Sequence, residues 1–113
     1  MFKEIGQIAN LMKNAGKIRE EMQKLHERLG HLTVEGDAGA GMVKVTVNGN
    51  TEVVACRISD ECMKVNDREM LEDMIRAAMN QALQKSRQLA AEETSKMATG
   101  FGLPAGMNLP GLG

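Results

Sequence analysis

Apolar residues in the first third of the chain recur at alternating steps of three and four. The series is Ile8, Leu11, Ala15, Ile18, Met22, Leu25, Leu29 and Leu32. A heptad seam of more than three repeats predicts one long helix over residues 3–30, with Gly30 near its end. At 1.5 Å per residue it is roughly 40 Å long, more than a compact domain of this size can cover. Part of it should therefore project or pair with a second chain. Its carboxyl-terminal half can instead pack on the protein's own sheet.

The period then changes to two. In "LTVEGDAGAGMVKVTVNGNTEVVACRIS", Leu32 and Val34 share one parity, Val43, Val45 and Val47 a second strand face, and Val54, Cys56 and Ile58 a third. Asn48-Gly49 signals a hairpin, because both central residues of a type I′ turn need positive φ. Gly36, Gly39 and Gly41 mark the other turn. Three strands in an antiparallel meander follow. The face carrying Thr33, Glu35, Lys44, Thr46 and Arg57, with Val53 and Ala55, is at least partly wet.

A second helical period begins after Asn66, which can cap it, with Glu69 at the third helical position and Val65 and Met70 placed as a hydrophobic staple. Leu71, Met74, Ile75, Ala78 and Ala82 form one apolar face. Met79, Leu83, Ala90 and Met97 form another, rotated by about 100°. Two apolar faces predict two packing surfaces, one for the sheet and one for another helix. The helix can run to about Met97. The fold class is therefore α+β, in the order helix, three strands, helix (α-β-β-β-α). Residues 1–99 form the domain. Residues 100–113 read as a flexible Gly/Pro/Met tail without charge or period, whose Phe101, Leu103, Met107, Leu109 and Leu112 either dock on a partner or stay disordered.

Composition narrows the function. The only aromatic residues are Phe2 and Phe101, so the core is built from aliphatic side chains and ten methionines. Such a core is thin, and dimerisation is the usual remedy. Readers of single strands or RNA that stack bases on rings are also disfavoured. Net charge is −1, but residues 1–30 carry six basic and four acidic side chains, so positive charge is concentrated there. No apolar run has signal-peptide or transmembrane character, which leads us to expect a cytoplasmic protein with no membrane partner. Cys56 and Cys62 form no CxxC pair and read as reduced thiols. His26 and His31 point about 140° apart on a helix, so no metal is assigned.

The "GDAGAG" stretch lacks the Lys-Ser/Thr of a phosphate loop and lies between strands, so it reads as a glycine-rich hairpin. Glu72 and Asp73 point in different directions on a charged helix face, and no nucleophile sits in a likely catalytic cluster. An enzyme is not expected, nor is a cofactor. On the first helix, Lys13, Lys17, Lys24 and Arg28 fall within about 60° of one another, opposite the seam, and climb about 22 Å. Such a row can follow several duplex phosphates. Glu20–Lys24 and Lys17–Glu21 also have the spacing of ordinary i,i+4 surface pairs, so a solvated face remains the other reading. No helix-turn-helix, zinc-finger or basic-zipper pattern is present.

The motifs "NLMKNA" and "EEMQKL" in the first helix, "AGAGMVKVTVNGN" across the hairpins and "DREMLEDMIRAAMNQAL" in the second helix resemble the YbaB/EbfC family of bacterial nucleoid-associated proteins. The tail "LPAGMNLPGLG" looks like the family's ending, so the resemblance spans essentially the whole chain. It implies a tweezer-like homodimer with projecting helices, located in the nucleoid. It also implies binding of double-stranded DNA with weak or variable sequence preference, and a role in nucleoid organisation and gene regulation. Neighbouring genes in the family encode a clamp-loader subunit and a recombination protein, which implies possible replication or recombination partners. DNA contact is associated with the two helices. Lys13 and Lys24 lie inside the matching motifs. Lys17 and Arg28 are added by the stripe geometry, and Arg76, Lys85 and Arg87 are further candidates on the second helix. Ile8, Leu11, Ala15, Ile18 and Met22, with Met79 and Leu83, are the candidate dimerisation residues. The alternative is a helical adaptor that binds a protein partner through the seam or the tail.

Overall fold

The computed structural model describes residues 2–102, apart from the side chains at 2–4 and 11. Helix α1 spans Phe2–His31, strands β1 to β3 span Thr33–Ala38, Val43–Asn48 and Val53–Ile58, and helices α2 and α3 span Asp60–Lys64 and Arg68–Gly100. The strands form one antiparallel sheet in the order β1-β2-β3. The α+β meander between two long helices is as the sequence pattern predicts. The expected tail begins at Gly100, which here still belongs to α3. Phe101 and Gly102 follow in a turn, and residues 103–113 lie outside those described.

The core sits between one face of the sheet and α3. Val43, Val45 and Val47 are fully buried against Ala78 and Ala82, with Leu71, Met74, Ile75, Met79 and Leu83 around them. Small residues on both sides allow a close approach. A Cβ on Gly36 of β1 would overlap the Ala78 carbonyl and come within 2.6 Å of the Ala82 amide. Helix α3 covers β1 and β2. The third strand has no buried residue, and Val53, Val54 and Cys56 are exposed. A register irregularity between Thr46 and Val47 pairs Val47 with Val53 and leaves Val54 as the extra residue, so the simple alternation expected for β3 is interrupted.

The turns differ from the expectation. Successive positive φ values, as a type I′ turn requires, occur at Ala40 (54°) and Gly41 (87°), closed by the Met42 amide on the Gly39 carbonyl at 3.2 Å. The Asn48 hairpin instead has a three-residue loop. The Asn48 amide donates to the Glu52 carbonyl at 2.9 Å, and Thr51 takes the left-handed position with φ 61°. Gly49 serves packing here: a Cβ would lie 2.7 Å from Leu29 Cδ2.

The start of α3 is also shifted by one residue. Asp67 is the cap, with its side chain accepting from the Met70 amide at 3.0 Å, while Asn66 has φ 55° and precedes it. Val65 remains exposed, and with Asp67 as the cap Val65 and Met70 no longer hold the two positions of a staple. The short helix α2 was not expected. Ser59 caps it by accepting from the Cys62 amide at 3.1 Å, and Cys62 is buried beneath it.

Candidate nucleic-acid interface

The heptad seam of α1 is covered in a gradient. Leu25 and Leu29 are buried, Ile18 and Met22 are half-buried, and Ala15 is exposed. Ile5 and Ile8 are 59% exposed and Met12 is 74% exposed. The carboxyl-terminal half therefore packs within the chain, mainly on α3 and the β2–β3 turn. The amino-terminal half projects. The described molecule measures 70 × 22 × 17 Å, a shape set by this arm.

The last turn of α1 is held by polar contacts. The Gly49 amide donates to the Leu29 and Leu32 carbonyls at 2.8 and 2.9 Å. Asn50 Nδ2 donates to the His26 carbonyl at 3.0 Å, and Ser86 Oγ of α3 donates to the Asn48 carbonyl at 2.6 Å. Farther out, α3 runs antiparallel to α1, and Lys96, Met97 and Phe101 line a groove with Lys17, Glu20 and Glu21. Beyond Lys17, among the described residues, the arm is α1 alone.

All four stripe cations, Lys13, Lys17, Lys24 and Arg28, are exposed on α1. They differ in their partners. Lys13 and Lys17 make no ion pair among the described residues. Lys24 pairs with Glu21 at 3.3 Å and Glu20 at 4.0 Å. The expected Lys17–Glu21 pair is not formed, because Glu21 is taken by Lys24. Arg28 reaches Glu93 of α3 at 3.1 Å.

On α3, Arg76 pairs with Asp73 at 3.4 Å, and Lys85 Nζ donates to the Glu35 carbonyl of β1 at 2.8 Å. Arg76 lies about 25 Å along the helix from Glu93, so it stands apart from the α1 stripe. Arg87 is exposed and makes no ion pair among the described residues. Two further cations, Arg19 and Lys96, lie on the same stretch of α1 and α3 and were not among the candidates. Arg19 is exposed and falls outside the stripe. Lys96 enters the groove beside Lys17 only through the packing of α3, which spacing along one helix cannot show.

The chain matches the model of the YbaB/EbfC DNA-binding family over residues 4–101. The chain belongs to this family. Membership gives it a nucleoid-associated, DNA-binding role, and the family is generally non-enzymatic. Among solved structures, the chain is similar to the uncharacterized protein HP0035 from Helicobacter pylori. The two share 23% identity at a TM-score of 0.61, over 74% of this chain and 96% of that one. That likeness concerns the fold. Among the described residues, no helix is long and apolar enough to cross a membrane.

Proposed function

We propose that this chain binds duplex DNA as a homodimer, gripping phosphates with cations of the projecting α1 arms. The carrying observation is that Lys13 and Lys17 stand exposed and make no ion pair among the described residues, on the arm of a DNA-binding family member. Lys24 and Arg76 join them, because exposed helical pairs are worth only about 0.3–0.5 kcal/mol and a phosphate can replace the acid. Arg87 is a further contact. Lys85 and Arg28 are the least available, one bonded to the β1 backbone and the other to a buried acid.

Phosphate contacts position a protein without reading sequence, so specificity is low unless DNA shape is sensed. The role would be nucleoid organisation with effects on gene expression, in the cytoplasm. The functional unit is a single domain that contains residues 1–99 and the end of α3 at Gly100.

The dimer would cover the apolar surface that one chain leaves open. On α1 this includes Ile8, Ala15, Ile18 and Met22, with Leu11 added as a candidate by its place in the heptad series. On α3, Met79 and Leu83 are only half-buried beside their own core. The exposed Val53 and Val54 of β3 add to this surface. A second reading, an adaptor for recombination or replication proteins, draws on the uncharged, exposed Ile5, Ile8 and Met12.

A Lys13→Glu/Lys17→Glu variant that remains dimeric by light scattering separates the two. Loss of duplex binding by about tenfold or more is expected, since each reversal both removes a contact and adds repulsion. Undiminished DNA binding in that dimer would remove the arm from the interface.

A further inference from the structure

Among the described residues only three polar side chains are buried: Asn48, Ser86 and Glu93. All three lie along the seam where α3 meets the β2–β3 turn and the end of α1. Glu93 is the only charged one. Its side chain is 9% exposed, and it holds Arg28 of α1 at 3.1 Å and Lys96 of its own helix at 3.6 Å. Arg28–Glu93 is also the one ion pair among the described residues that joins two different elements.

A buried carboxylate is a costly choice at this position. It continues the inward row of α3 that includes Ala78, Ala82 and Ser86, where an apolar side chain would pack without desolvation. Exchanging a buried pair for apolar residues is often neutral or stabilising, while removing one partner is strongly destabilising. Stability alone therefore gives no reason for the pair. Geometry does. Leu25 and Leu29 are the only described residues of α1 that are buried, and Ile18 and Met22 farther out are half-buried, so the apolar hold on a helix of 30 residues weakens toward the arm. The polar contacts of its last turns add to that packing in fixing the direction of the arm.

We infer that Glu93 is a positioning residue: through Arg28 it sets the direction in which α1 projects, and Arg28 is committed to that pair rather than to phosphate. Withdrawing Arg28 to meet DNA would leave the buried Glu93 carboxylate with Lys96 alone, at 3.6 Å. This inference rests on the DNA-binding reading for its functional consequence, and on geometry alone for the clip itself.

The test uses the full chain and the variants Glu93→Gln, Arg28→Gln and the double Arg28→Gln/Glu93→Gln. Amide exchange over residues 18–24, the part of the arm packed beside α3, reports the clip, and duplex affinity is measured across salt concentrations. Both single variants should exchange faster in the arm and lose about fivefold or more in affinity, the lower range of coupling between separated groups. The salt slope of Arg28→Gln should stay that of the wild type. The double variant should be no worse than either single, as for two ends of one interaction. The inference is overturned if the defects of the two singles add. It is equally overturned if Arg28→Gln lowers the slope by about 0.9 while Glu93→Gln binds as well as the wild type, the signature of a phosphate contact. If the wild type itself does not bind duplex, the functional reading fails, and arm exchange alone decides the clip. Faster exchange in both singles, without addition in the double, then retains it; unchanged exchange rejects it.

Discussion

Gly36 and Gly49 are small for a shared reason. Each lets a helix approach the sheet to backbone contact distance, Gly36 beneath Ala78 and Ala82 of α3 and Gly49 beneath Leu29 of α1. Gly36→Ala and Gly49→Ala should each lower unfolding free energy by about 1–3 kcal/mol in urea titration, the usual cost of overfilling a packed contact. The cap of α3 offers a second residue-scale check. Asp67→Ala should cost about 1 kcal/mol, whereas Asn66→Gly, at a φ of 55° that glycine adopts freely, should stay within about 0.5 kcal/mol of the wild type. The sequence located both turns and the helix start. It assigned the wrong conformation to Asn48-Gly49 and the wrong cap, because turn type and cap choice depend on neighbours that pattern does not contain. The Asn48 side chain accepts from the Asn50 and Glu52 amides at 2.9 and 3.1 Å, and the Gly49 amide is drawn to the end of α1, which together stabilise the wider loop.

The long helix is the element whose sequence said most and whose environment said most of the rest. Its seven-residue period was legible over its whole length, and so was the fact that one chain could not cover it. Where coverage stops was not legible, since Ile8 and Leu29 occupy equivalent seam positions and only the packing of α3 separates them. The amino-terminal part has Gly6 and Gly16, neither with anything near its Cβ position, and no buried side chain among those described. A lone helical segment of this length is marginal in water. Amide exchange in the isolated chain should therefore be fast over residues 5–17 and slow over 25–31, with protection free energies in the second segment approaching that of global unfolding. A partner that covers the arm should extend protection toward Ile5. Helix α2 escaped notice because five residues show no period, although Ser59 followed by Asp60 and Glu61 is a helix-start signal in itself.

At the scale of the whole molecule, charge is a matter of placement. Net charge of −1 disguises an arm on which Lys13 and Lys17 face solvent without an ion pair among the described residues, while Lys24, Arg28, Arg76 and Lys85 are partnered within the chain. The stripe was visible from spacing. Which of its members were free was not, because Glu21 chose between Lys17 and Lys24, and Glu93 lies 65 positions from Arg28 in the chain. Dimerisation would double the free set and cover the apolar surface of the arms and of β3.

The scarcity of aromatic rings fits the same mode, since contact with phosphates needs none. If about five phosphates are neutralised by the dimer, log affinity should fall with log salt at a slope near −4.5. Fluorescence anisotropy of a labelled duplex between 50 and 200 mM salt measures this most directly. A loss of affinity of about 500-fold over that range is expected from that slope. An affinity that does not change with salt would contradict phosphate gripping as the basis of binding.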